Sequence, residues 1–176
     1  MIRVSYILSL LALLYVFAVP SHATEQIAYP LMINGNVHYT EGFYLSKEMT
    51  ANLKHFRKEH KIARNSANWN GFYAKLSVRE NKLFATYLHI DMPQIVRTKA
   101  YPAPSEIFGV SIPADGLFAD WFSGALDEPF GELDNLKFHK YVRIFIFENG
   151  CLVTIKEVSR EEYTSYLKNN MIYRAN

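Results

Sequence analysis

The sequence predicts an α+β domain: a twisted antiparallel sheet of about seven strands, built from hairpins, with two helices packed on it. Three observations carry this. Asn34-Gly35 and Asn149-Gly150 each separate two apolar stretches, and Asn-Gly supplies the two positive-φ positions of a type I′ hairpin turn. Gly71 to Ile90 alternates apolar and polar side chains about a Glu80-Asn81 turn, the period of strands with one face on a core and one in water. Two other segments carry apolar residues at helical spacing instead.

The elements follow in order. The first hairpin runs from Ile27 to Tyr39, with Leu31-Met32-Ile33 before its turn and Val37-His38-Tyr39 after it. Leu45 to about Ile62 reads as the first helix. Ser46 is its N-cap, and Met49, Leu53 and Phe56 fall on one face. Its other faces carry Lys47, Lys54, Arg57, Lys58 and Lys61, and both helices are expected to cover one face of the sheet. Arg64 to Asn70 is polar apart from Trp69 and reads as a loop.

Asp91 to Ile107 holds Pro93, Pro102 and Pro104, which deny it regular ladder bonding. It reads as a long connection of the kind that often carries function. Phe108 to Ile112 reads as a short strand before an Asp115-Gly116 turn. Leu117 to Leu126 is expected to be the central strand, with Trp121 within it. Gly124 there suggests a bulge or a close backbone approach. Asp127-Glu128-Pro129 and Gly131 then read as a sharp acidic turn. The third hairpin, Tyr141 to Glu157, turns at Asn149-Gly150. Ser159 and Glu162 form a capping box for the last helix, with Val158 and Tyr163 at the staple positions. Tyr163, Tyr166, Leu167 and Met171 are its expected buried stripe.

Met1 to Ala23 has the layout of an export signal: Arg3, an apolar run from Tyr6 to Val19, then Pro20 and Ser21-His22-Ala23 with small residues where signal peptidase reads. The run falls short of the ~20 residues of a membrane span, and no cysteine stands at the cleavage region for a lipid anchor. The expectation is a periplasmic or secreted protein. Residues 1–23 form the signal and residues 24–176 one domain, with no stable membrane anchor after cleavage. Such a domain is long enough to bury a core. Arg3 is the only charged residue of the signal, so the formal charge of +2 falls to about +1 and selects no partner. Cys151 is the one cysteine, which excludes an intrachain disulfide and leaves the apolar core to hold the fold. It reads as a half-buried apolar residue, with interchain pairing as the alternative.

Ala119-Asp120-Trp121-Phe122-Ser123-Gly124-Ala125-Leu126 is followed by Pro129-Phe130-Gly131. This pattern is similar to A-x-W-[FY]-[ST]-G-x-L and then P-x-G, after a hairpin like Gly71 to His89 with Lys82-Leu83 opening its second strand. On these residues the chain resembles an uncharacterised family of small, exported Gram-negative bacterial proteins, over roughly Gly71 to Glu157. The resemblance implies the hairpin-built sheet and assigns no activity.

Familiar catalytic signatures are missing: no P-loop, no G-x-S-x-G, no H-E-x-x-H and no C-x-x-C. His55 and His60, five apart, point to different sides of a helix and make a poor zinc pair. No metal or cofactor is expected. His89 and Asp91 share a strand face, where an imidazole oriented by a carboxylate can act as a general base. Ser123 is the candidate nucleophile, or a hydroxyl spent on backbone. Asp115, Asp120, Asp127, Glu128, Glu132 and Asp134 fall in one segment without Lys or Arg. They read as solvated turns, as a docking rim for a basic partner, or as ligands for a hard cation, though without EF-hand spacing. Nucleic acid does not fit an exported chain lacking a wide basic surface.

These readings converge on a non-catalytic periplasmic binding or inhibitory protein. An immunity-type protein against an envelope-acting toxin is its concrete form. The expected protein-docking surface is Asp120, Trp121, Asp127, Glu128, Phe130, Glu132 and Asp134. The alternatives are a module binding an envelope glycan or lipid fragment under the Asp91–Ile107 connection, and a hydrolase using His89, Asp91 and Ser123.

Overall fold

The computed structural model describes residues 27–63, 68–90, 102–135 and 138–170. The signal segment, Asp91 with the connection as far as residue 101, and Met171 lie outside the described residues. The fold is α+β. Its strands are β1 (Tyr29–Ile33), β2 (Asn36–Thr40), β3 (Phe72–Arg79), β4 (Lys82–Ile90), β5 (Leu117–Phe118), β6 (Gly124–Leu133), β7 (His139–Glu148) and β8 (Cys151–Ser159). Its helices are α1 (Lys47–Glu59), α2 (Pro104–Phe108) and α3 (Arg160–Asn170). The sheet order is β2-β1-β3-β4-β8-β7-β6, with β5 paired to β4.

Local chemistry explains the hairpins. Asn34 and Gly35 have φ of 50° and 81°, and Asn149 and Gly150 have 47° and 72°, as a type I′ turn requires. Glu80 and Asn81 adopt φ of 50° and 59° without any glycine. Ser46 caps α1, its Oγ accepting from the Met49 N–H at 3.1 Å. The capping box of α3 forms as expected: the Ser159 N–H donates to Glu162 Oε2 at 2.8 Å, and the Glu162 N–H donates to Ser159 Oγ at 3.2 Å.

The sheet is mixed, where hairpins alone predict antiparallel pairing. β1 and β3 run parallel, with Leu31 opposite Leu76 and Ile33 opposite Val78. β2 and α1 intervene between them, and this crossover returns β3 beside β1 in the same direction.

The sheet divides into two wings, β2-β1-β3-β4 and β8-β7-β6. At one seam Lys82 pairs with Cys151, through bonds from the Leu83 N–H to the Gly150 carbonyl (2.8 Å) and from the Leu152 N–H to the Asn81 carbonyl (2.7 Å). At the other, a single bridge joins Glu41, just past β2, to Asp127 on β6, by bonds of 2.9 and 3.1 Å. The sheet is strongly curled and open.

Its concave face carries the core. Leu31, Leu76, Leu83, Leu126, Phe145 and Phe147 meet Met49, Leu53 and Phe56 of α1 and Ile107 and Phe108 of α2 there. Full burial of one such side chain contributes roughly 1.5–3 kcal/mol, which explains how the domain holds without a disulfide. α3 lies elsewhere. Asp127 and Ile144 are register partners. Tyr163 reaches Asp127 on the convex side of the second wing, where Val142 and Ile144 are also buried. The two long helices thus cover opposite faces, because the Phe145 and Ile144 faces of β7 are both apolar and each needs cover.

The segment from Leu117 to Leu133 departs most from its expected form. β5 ends at Phe118, and Trp121 lies in the turn after it, outside any strand. The reason is hydrogen bonding. The Ser123 N–H donates to the Tyr44 hydroxyl at 3.0 Å, which donates to the Ser123 carbonyl at 2.6 Å. Trp121 Nε1 donates to the Tyr44 carbonyl at 3.1 Å, and the Gly150 N–H donates to the Phe122 carbonyl at 2.8 Å. These contacts claim groups that a continuous ladder needs. β6 then runs straight through Asp127-Glu128-Pro129, so the expected acidic turn is a strand. Pro129 is tolerated because β6 lies at the edge of the sheet. The bulge falls at Gly131 (φ 82°), between Phe130 and Leu133, and Gly124 simply opens the strand.

Three smaller expectations also change. Phe108 to Ile112 is not a strand: Pro104 opens the short α2 and Gly109 ends it at φ 74°. Arg57, placed by the sequence on the faces of the first helix away from its apolar stripe, is buried, and donates to the Gly71 carbonyl at 2.8 Å and the Ala63 carbonyl at 2.5 Å. Cys151 is exposed, because the bonds holding its turn to β4 and to Phe122 are made by backbone.

Candidate functional site

Polar chemistry gathers where the concave face opens. Strand register places Glu128 opposite Arg143 and Arg143 opposite Glu157, so all three side chains share that face of the second wing. Arg143 Nη1 donates to Glu128 Oε2 at 2.6 Å, and its Nε donates to Glu157 Oε1 at 2.8 Å. His38 comes from β2 across the open seam, with Nδ1 2.9 Å from the same Glu128 oxygen and 3.2 Å from Arg143 Nη1. The His38 ring packs edge-on against Phe145, centroids 5.2 Å apart. The Arg143 guanidinium lies 4.6 Å from the centre of the Phe130 ring.

Burial alone would lower the Arg143 pKa. The Glu157 hydrogen bond, then the Glu128 charge and hydrogen bond, outweigh it and hold the group above its ordinary range. The network is thus a polar clasp, one guanidinium between two carboxylates, to which His38 of β2 adds a contact from across the seam.

Beside it, Phe130, Tyr141, Glu157, Ser159 and Glu162 line a cleft of about 440 Å³. The Phe130 and Tyr141 rings are 5.7 Å apart. Glu157 uses Oε1 for Arg143, and Glu162 uses Oε2 for the capping box. Among the described residues, the second oxygen of each carboxylate takes no hydrogen bond. The Ser159 N–H and then its hydroxyl lower the Glu162 pKa, so this carboxylate keeps its charge further into acid. The Tyr141 ring, the Phe130 ring that already carries the Arg143 guanidinium, and two open carboxylate oxygens make a receptor for a cationic group.

The expected site residues separate in the structure. Asp127 is buried under α3, with Oδ2 accepting from the Tyr163 hydroxyl at 2.7 Å. Glu128 and Phe130 join the clasp. Glu132 pairs with Lys140 at 2.8 Å, and Asp134 Oδ1 accepts the Phe138 N–H at 2.9 Å, both past the bulge. Asp120 and Trp121 sit beyond the opposite end of β6, in the turn held by Tyr44. The acids therefore form no common rim; alternation along β6 and the length of the strand disperse them.

A comparison with protein-family models, with curated proteins and with solved structures finds no match.

For the hydrolytic alternative, Asp91 lies outside the described residues. His89 stacks on Tyr87, centroids 5.8 Å apart, near the end of β4. Ser123 Oγ accepts the Asn149 N–H at 2.8 Å beside the turn that holds the start of β4. Seven strand residues, roughly 20 Å, separate those two ends of β4. His89 and Ser123 do not converge.

The residues missed from sequence are His38, Arg143, Tyr141, Glu157 and Glu162. Arg143 had a signal: a lone cation on a strand face between Tyr141 and Phe145 needs anionic partners when that face is covered. His38 had none, because its partner stands ninety residues away across a seam.

Proposed function

We propose that this chain is a non-catalytic binding protein that acts after export, in the periplasm or outside the cell, and that it docks a protein presenting a basic segment. An inhibitory, immunity-type role against an envelope-acting toxin is the concrete form of that reading. The observation that carries it is the cleft in which the Phe130 and Tyr141 rings stand beside the open oxygens of Glu157 and Glu162. Exposed Leu133 and Phe138 extend an apolar margin at the same hairpin end, and aromatic anchors beside charge are typical of docking surfaces. The separation of His89 from Ser123 supports a binding role over hydrolysis.

The test compares wild type with Phe130→Ala and Glu157→Lys. A fluorescent hexa-arginine peptide serves as probe, and envelope extract supplies candidate partners. The reading expects the peptide and one extract protein to bind wild type, with affinity at least tenfold lower in both variants and falling with salt. Equal retention by wild type and variants removes this surface.

A further inference from the structure

We propose that the convex face of the first wing binds a single-chain amphiphile with an anionic head group. Met32 is the register partner of both Val37 and Ser77. The three side chains therefore share one face, turned away from the Leu31 and Leu76 core. With Lys75 and Arg79 they line a groove of about 910 Å³. That is the scale of a small-molecule site, roughly 300–1,000 Å³.

Three features point to an occupant. Met32 and Val37 stand side by side at 51% and 50% exposure, an apolar wall without cover among the described residues. Ser77 is only 9% exposed, yet its hydroxyl has no hydrogen-bond partner among the described residues. Buried polar atoms normally have one. Lys75 and Arg79 flank Ser77 on the same strand face, each about 7 Å along it.

Both cations are held in place. The Lys75 ammonium lies 5.5 Å from the Tyr87 ring centre, and the Arg79 guanidinium lies 4.1 Å from that of Phe84 while donating to the Asp115 carbonyl. Glu80 and Asp115 also line the groove, so the face is no general anion trap. A head group over Ser77 accepts from its hydroxyl between the two cations, and the chain covers Met32 and Val37. Carboxylate and phosphate share this chemistry. Leu152 and Ile155 of β8 border the groove on its far side, and it shares no lining residue with the Phe130 cleft.

The test titrates purified protein with dodecanoate and with dodecyl phosphate below their micellar concentrations, by calorimetry. Dodecyltrimethylammonium is the charge-reversed control. Saturable one-to-one binding of at least one anion is expected, the tighter arm naming the head group. Ser77→Ala should weaken it about fivefold, Lys75→Gln by a similar factor, and Met32→Glu should abolish it. Thermal melts confirm that each variant folds; if Met32→Glu does not, Val37→Glu replaces it. No anion binding, equal binding of the cationic control, or wild-type affinity in both Ser77→Ala and Lys75→Gln overturns the proposal.

Discussion

Asp127 and Glu128 are neighbours in the chain and face opposite sides of β6. The Tyr163 hydroxyl meets Asp127 at 2.7 Å beneath α3, while Arg143 meets Glu128 at 2.6 Å on the concave side. The period of two along a strand turns one acidic pair into two unrelated structural devices.

The first device ties α3 to the sheet. Tyr163→Phe should cost about 1.5–3 kcal/mol, the range for a hydrogen bond to a charged group. Asp127→Asn should cost a similar amount, and the double variant less than the sum of the two. Urea denaturation with a double-mutant cycle measures this, and strict additivity would show that the pair is not coupled.

The second device joins the wings. Arg143→Met leaves Glu128, whose side chain is 13% exposed, with His38 as its remaining clasp partner, and should cost about 1.5–3 kcal/mol. Glu157→Gln, at 55% exposure, should change stability by no more than about 1 kcal/mol. Replacing the clasp by an apolar pair, Arg143→Met with Glu128→Leu, should recover much of the loss. Chemical denaturation of the three variants decides it.

The turns give predictions of opposite sign. Asn81 holds φ 59° on a residue with a Cβ, so Asn81→Gly should add about 0.5–1 kcal/mol. At Gly150 a Cβ would lie 2.6 Å from the Ala119 carbonyl oxygen, so Gly150→Ala should cost more than about 1 kcal/mol and loosen the seam between the wings. Melting temperatures of the two variants should move apart.

The start of α3 should respond to acid. The folded Glu162 pKa lies below its unfolded value, near the ordinary ~4.3. Its stabilisation is therefore fully present above the unfolded value and is lost as pH falls through the folded one. Protection of the Ser159 amide against hydrogen exchange should fall as the solution is acidified below the unfolded value, and Glu162→Gln should flatten that dependence.

The sequence placed three hairpin turns and both capped helices, since Asn-Gly, Ser46 and the Ser159 with Glu162 pair act through neighbours a few residues away, but it missed the turn between β6 and β7 at Asp134 to Phe138. It misplaced Trp121 and the acidic segment, because their conformation answers to Tyr44 and to the edge position of β6. Neither lies within a local window. Glu128 and Phe130, named from sequence by residue type, stand in the candidate site, but their partners His38 and Arg143 were not legible there.

What the chain settles by itself is what short-range stereochemistry governs: positive-φ turns, caps, and the period that separates strand from helix. Tertiary structure alone decides which strand meets which. It sets β3 parallel to β1, sends the two long helices to opposite faces, and brings β2 to β6. The closing contacts form between residues about ninety apart, where loop-closure entropy must be offset by burial of the whole concave core. No single pair of residues encodes that balance.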